Sequence, residues 1–204
     1  MFSRRLMILA AAVASLALAA CSKPGGPSGP AEGDMSMGNA AAKVKVVEYA
    51  SASCPHCARF NNDVFPAFKA KYIDTGKAYY TFKEFLTPPE NVAAAGFLVA
   101  RCAGKDKYFT ILDAVYHSQQ EMFQTGDFRG VLLRIAESAG LTEPQFNACL
   151  NDEAAMKALN DRVTRAVQQD KVTGTPTFFF NGKKVAEGEV TEAQLDQAFN
   201  EAAK

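Results

Sequence analysis

Four consecutive residues, Cys54-Pro55-His56-Cys57, carry the chemistry most readily read from this chain. Two cysteines three positions apart at a helix start can close a small disulfide ring without moving the backbone. The first sulfur then sits where free amide groups and the helix dipole favour a negative charge. His56 adds a donor, and a positive charge when protonated, beside that sulfur. An ordinary thiol is only about 3% thiolate at neutral pH, so lowering its pKa makes the attacking and leaving species available. A stabilised thiolate also stabilises the reduced protein, which makes the disulfide form the stronger oxidant. The competing use of such a pair is half of a structural zinc site. Zinc takes four ligands, commonly including a second close Cys or His pair, whereas the remaining Cys102, Cys149 and His117 are widely spaced. The expectation is redox chemistry with no metal and no cofactor.

The elements around this segment support that use. Residues 43–49 are β-branched and half-alternating and read as a strand entering a core. A helix starts around Cys54 with Pro55 in its first turn, where a missing N–H costs little. Phe60, Val64 and Phe68 share a face of it, and Pro66 is expected to kink it. Residues 77–85 form a second strand, and from Glu90 to about Asp170 the apolar residues fall at helical spacing, with Thr142 a cap. Residues 177–180 return to strand, Asn181-Gly182 supplies a tight hairpin, and residues 183–186 lead back. Thr191 caps a closing helix. The order β, α, β, helical block, β-hairpin, α defines a mixed α/β sheet with a helical insertion.

The 204 residues carry 22 basic and 22 acidic side chains, a balance that excludes a backbone-driven nucleic-acid binder. Arg4 and Arg5 precede an apolar run over residues 6–20, too short to cross a bilayer comfortably, and together they read as a secretory signal peptide. The run ends Leu18-Ala19-Ala20-Cys21, which resembles the lipobox of bacterial lipoproteins, with Cys21 as the lipid carrier. Ordinary cleavage would instead leave Cys21 a free thiol. Removing residues 1–20 takes away two arginines and no acid, so the mature chain has two acids in excess. Acyl chains, rather than a basic patch, would then hold it at a membrane. Residues 21–42, dominated by Pro, Gly, Ser and Ala, are expected to form a flexible tether spanning about 25 Å. Met35 and Met37 fall in this stretch and are read as ordinary linker residues. The folded domain is expected over residues 43–204, with its insertion at about 90–170.

At this point the chain resembles the DsbA family of bacterial thiol-disulfide oxidoreductases. The residues that carry the resemblance are Val46-Val47-Glu48-Tyr49 before Cys54-Pro55-His56-Cys57, then the helical block, then Gly174-Thr175-Pro176-Thr177-Phe178. The resemblance covers residues 43–204 and implies a thioredoxin-like sheet interrupted by a helical domain. It implies that Cys54 is the exposed attacking sulfur and Cys57 the shielded resolving one, with Pro55 and His56 tuning them. Thr175-Pro176 alone reads equally as a trans turn or a cis bond; the resemblance favours cis, with the backbone at Thr175 pairing with an extended substrate segment. Thr175 departs from the aliphatic residue found here in many strongly oxidising members. Glu48 is either a solvated edge carboxylate or a partly buried acid near Cys57 that relays protons with a raised pKa. The resemblance suggests Lys83 on the neighbouring strand as its partner.

Cys102 and Cys149 both fall in the helical block with no other thiol left to pair. They are expected to form a structural disulfide worth about 4 kcal/mol on the loop-entropy relation, the alternative being two buried free thiols. His117 reads as a surface or core histidine rather than a catalytic one.

The sequence thus points to a monomeric protein dithiol oxidase of the bacterial periplasm, lipid-anchored, that donates the Cys54–Cys57 disulfide to reduced secreted or periplasmic proteins. Ser22 lacks the aspartate associated with inner-membrane retention and slightly favours the outer membrane. The resemblance implies a quinone-linked membrane oxidase as the partner for re-oxidation. The alternatives are an isomerase or reductase of the same fold, or a non-catalytic surface lipoprotein that binds a partner.

Overall fold

The computed structural model describes residue 27 and residues 29–204. The expected signal peptide, the expected lipid carrier Cys21 and the first part of the expected tether lie outside the described residues.

A five-stranded sheet in the order β1-β3-β2-β4-β5 organises the molecule. Its strands are β1 (Met35–Gly38), β2 (Val44–Ala50), β3 (Ala78–Glu84), β4 (Thr177–Phe180) and β5 (Lys183–Glu187). β2 runs parallel to β3 and antiparallel to β4, and β1 and β5 close the two edges antiparallel. β2 is buried along its length except at Lys45, as a strand covered on both faces must be. Alternation sends Val44, Val46, Glu48 and Ala50 to one face, and Val47 and Tyr49 to the other. The first face carries the large core, with Tyr80 and Phe82 of β3 and Phe178 and Phe180 of β4. The second carries a smaller core of Val47, Tyr49, Phe85, Ala166, Val172 and Phe179.

The helix that follows β2 packs on the first face and is not a uniform α-helix. α1 (Pro55–Arg59) runs into a π-helical turn (Phe60–Val64), then α2 (Phe65–Phe68), then a second π-helical turn (Lys69–Ile73). Pro66 has no N–H for the Asn62 carbonyl, and the backbone widens just ahead of it, where Phe65 N–H bonds to the Phe60 carbonyl. The expected kink is thus absorbed by a π-turn.

The helical insertion consists of α3 (Glu90–Cys102), α4 (Tyr108–His117), α5 (Gln119–Thr125), α6 (Phe128–Ser138), α7 (Glu143–Leu150) and α8 (Glu153–Gln168). Thr142 caps α7, and Thr191 caps α9 (Glu192–Ala202), each in a reciprocal capping box with the glutamine three residues on. Asn181 and Gly182 both take the positive φ that joins β4 to β5. Cys102 and Cys149 are bonded, pinning α3 to α7 with Cα atoms 6.1 Å apart.

One boundary is corrected. The tether was expected to run through residue 42, yet Met35–Gly38 pairs with β3 and Met35 is buried. Asp34 forms an ion pair with Lys83 at 3.0 Å, and the Gly33 carbonyl accepts from Arg101 at 2.8 Å. Gly38 ends the strand at φ +89°, where a Cβ would stand 2.5 Å from the Ala78 carbonyl oxygen. The stretch is therefore an edge strand with specific partners.

Candidate active site

The loop between β2 and α1 is held from three sides. Ser51 and Ser53 are fully buried. The Thr87 backbone N–H and hydroxyl donate to Ser51 Oγ at 3.2 and 2.9 Å, and Ser53 Oγ donates to the Thr87 carbonyl at 2.8 Å. From the insertion, buried Gln119 donates Nε2 to the carbonyls of Ala52 and Cys54, at 2.8 and 3.2 Å. Cys54 is the N-cap of α1, its carbonyl taking the first helical bond from Ala58 N–H at 3.1 Å. Pro55 occupies the first turn. The third side is the loop before β4, where the Thr175-Pro176 bond is cis and the Thr175 carbonyl oxygen lies 3.5 Å from Cys54 Sγ, accepting from it when Cys54 is a thiol. A second cis bond, Pro88-Pro89, was not foreseen.

Cys54 and Cys57 are both free thiols, and the expectation that Cys54 is exposed is corrected: it is buried at 6% exposure, with Cys57 at 0%, so the two differ in acidity rather than in access. Cys54 is brought down from the ordinary range to about 5. The Cys57 thiol is the largest cause; the backbone N–H groups of Cys57 and His56 add to it, against the opposing effect of burial. Cys57 has no exposed surface, and burial first, then its partner sulfur, pushes it well above the ordinary thiol value. Behind them Glu48 is 3% exposed and is raised to about 8 by burial, while a hydrogen bond from Tyr80 Oη works the other way. At neutral pH the site therefore holds a thiolate at Cys54, a thiol at Cys57 and a carboxylic acid at Glu48.

Two sequence expectations are corrected. Lys83 is not the partner of Glu48. The β2–β3 register sets Lys83 beside Tyr49 and Phe82 beside Glu48, so Lys83 projects to the opposite face, where it meets Asp34 and the Tyr49 ring. The group on the Glu48 face is Tyr80, two residues before Phe82. His56 does not turn its ring to the sulfur: the exposed ring is 2.8 Å from Glu189 Oε1, which also accepts from Arg59 Nε at 2.7 Å. Its contribution to Cys54 is its backbone N–H. His117 is exposed at the end of α4 and faces Asp113. Among the described residues, no group of three His, Cys, Asp or Glu could hold a metal, and no helix is long and apolar enough to cross a membrane.

Sequence reasoning missed Gln119, Tyr80 and the buried charge cluster around Glu84. Glu84 pairs with Arg101 at 2.7 Å and Arg162 at 2.6 Å and accepts from Tyr108 Oη at 2.9 Å, joining β3 to α3, α4 and α8. A charged residue ending an apolar strand was the available signal for Glu84; nothing local marks Gln119.

A thioredoxin-like sheet with a helical insertion and a cis-proline loop against an N-cap cysteine matches known proteins. The thioredoxin family profile matches residues 30–201, and the chain belongs to that family. Within it, the chain is DsbA-like. The crystal structure of Wolbachia pipientis alpha-DsbA1 superposes with a TM-score of 0.78 at 28% identity, covering 86% of this chain and 93% of that one. A Rickettsia bellii protein provisionally named a protein-disulfide oxidoreductase is 33% identical over 173 residues, 83% of this chain and 66% of its own. Disulfide bond formation protein D of Bacillus subtilis is 24% identical over 156 residues, 76% of this chain and 70% of its own. The chain spans between about half and two thirds of the length of the Rickettsia relatives it matches.

Proposed function

We propose that this protein is a thiol-disulfide oxidoreductase that donates the Cys54–Cys57 disulfide to reduced secreted proteins. The observation that carries the reading is the placement of the two sulfurs, Cys54 at the N-cap of α1 against the cis Thr175-Pro176 loop and Cys57 fully buried behind it, which lowers the first and raises the second. A substrate thiolate attacks Cys54 Sγ, forming a mixed disulfide, and the electron pair of the broken bond leaves on Cys57. Glu48, a carboxylic acid at neutral pH, gives Cys57 its proton. A second substrate thiolate then attacks the substrate sulfur and expels Cys54, whose low pKa makes it a good leaving group. The substrate loses two electrons and the protein gains them. The Thr175 backbone beside Cys54 would pair with an extended substrate segment, which reads no side chains and admits many clients.

The wider setting belongs to the same proposal. Residues 1–20 export the chain, Cys21 carries the lipid that anchors it at a periplasmic membrane face, slightly favouring the outer membrane, and a quinone-linked membrane oxidase restores the disulfide. The protein works as a monomer.

The test is oxidation of a dithiol peptide by the purified oxidised protein. Activity should be lost in Cys54→Ser, and full activity in that variant would overturn the mechanism.

A further inference from the structure

Among the described residues, two buried side-chain oxygens have no hydrogen-bond partner, those of Thr175, beside Cys54, and Tyr116. Tyr116 lies on α4 and is 3% exposed. A buried hydroxyl without a partner is destabilising, and phenylalanine would fill the same space without that cost. The surroundings give the hydroxyl a use. Tyr116 forms one wall of a cavity of about 290 Å³ that Glu48 and Tyr80 also line. Burial pushes the Tyr116 phenol well above its ordinary value, and a charge on Cys57 or Glu48, when either ionises, adds to that.

We propose that Tyr116 is a positioning residue whose hydroxyl is held in reserve for the negative charge that disulfide exchange creates on the Cys57–Glu48 pair. This rests on the exchange reading above. When the substrate thiolate bonds to Cys54 and the Cys54–Cys57 bond breaks, one electron pair is left on Cys57. Transfer of the Glu48 proton to that sulfur moves the single negative charge to the Glu48 carboxylate. Tyr80 already donates to that carboxyl. Tyr116 supplies a second donor as the charge arrives, and a solvent proton returns Glu48 to its acid form. The Tyr116 hydroxyl makes no bond to the protonated acid and turns to the carboxylate as the charge develops, a small motion of a donor that has no protein partner to give up. The inserted helical domain thereby contributes directly to the chemistry of the sheet domain.

The titratable groups acting on Tyr116 are Cys57 of α1, Glu48 of β2, Tyr80 of β3 and Tyr108 of its own helix. Lys69 and Asp113 share the cavity, and Arg59, Asp63 and His117 line the cleft on the other side of Tyr116.

Tyr116→Phe keeps the ring and removes only the hydroxyl. Three measurements on the full protein are needed: Tm, the Glu48 titration followed by carboxyl-carbon NMR, and the pH profile of exchange with a dithiol peptide. The expected result is a Tm that is unchanged or higher, a Glu48 midpoint moved upward, and exchange at neutral pH slowed about tenfold with its alkaline limb shifted to higher pH. An unmoved Glu48 midpoint with an unchanged pH profile would overturn the proposal, whatever happens to Tm. The Glu48 titration does not depend on activity. A wild-type protein that fails to oxidise the peptide would therefore sink the exchange reading, while the titration still decides whether Tyr116 serves Glu48.

Discussion

The molecule holds two pairs of cysteines that geometry treats in opposite ways. Cys54 and Cys57 sit three residues apart at a helix start, both free, with their acidities driven apart by the Cys57 thiol, and behind it backbone donors, acting on Cys54 and by burial acting on Cys57. Cys102 and Cys149 are 47 residues apart in sequence, joined across α3 and α7 of the insertion. A three-residue ring constrains the unfolded chain little, so its redox state is free to follow chemistry. A ring of 47 removes much more loop entropy, so its bond serves stability. Sulfur chemistry is the same in both; the element that carries each pair decides whether the bond is exchanged or kept.

The comparison breaks if the second pair proves dispensable. Replacing Cys102 and Cys149 together with alanine should cost about 4 kcal/mol in urea unfolding of the full protein while leaving peptide oxidation within about twofold. A variant as stable as the parent, or one that has lost exchange, would show that the two pairs are not divided in this way.

Glu48→Gln sharpens the first pair. It should slow exchange about a hundredfold by removing the proton donor for Cys57. It should also change how stability depends on pH, with a sign that follows from the shift. The folded protein keeps the Glu48 proton up to about 8 while the unfolded chain releases it near 4.5, so the native state binds the extra proton between these values. Stability therefore falls as pH rises through that window, by on the order of 1 kcal/mol per unit. Cys54 acts the other way in the reduced protein: its folded pKa of about 5 lies below the unfolded value of 9.0, so stability rises with pH between them. The oxidised wild type, where burial still raises Glu48 but the Cys54 charge is gone, should lose stability as pH rises above 5, the reduced form should change much less, and the oxidised Glu48→Gln protein should be flat. Equal slopes for oxidised and reduced wild type would contradict these assignments.

The smallest effect belongs to His117→Ala. This exposed side chain on α4 should shift stability by less than about 0.5 kcal/mol and leave exchange unchanged. A marked loss of exchange would mean that the surface beside α1 takes part in the chemistry.

What was legible in the sequence is what local chemistry enforces. Asn181-Gly182, the caps Thr142 and Thr191, and the Cys54–Cys57 spacing each specify their own backbone, and the helical periodicity of the insertion survives as α3 to α8. What was not legible depends on partners distant in sequence. Met35–Gly38 lies in a stretch of Pro, Gly and Ser, and only pairing with β3 makes it a strand. Lys83 and Tyr80 are both plausible neighbours of Glu48 until register and alternation are fixed, and the odd spacing between them sends them to opposite faces. Gln119 and Tyr116 sit on helices whose periodicity says only which side is buried. Their bearing on Cys54 and Glu48 comes from how the insertion docks on the sheet.

The central claim is the division of labour between the two active-site sulfurs, and the ultraviolet thiolate absorbance of the reduced protein measures it directly. Titrated against the Cys54→Ser variant, the wild type should show one thiolate forming with a midpoint near pH 5, absent from the variant, while Cys57 stays protonated to well above pH 9. A Cys54 midpoint in the ordinary range near pH 9, or two thiolates forming together, would contradict it.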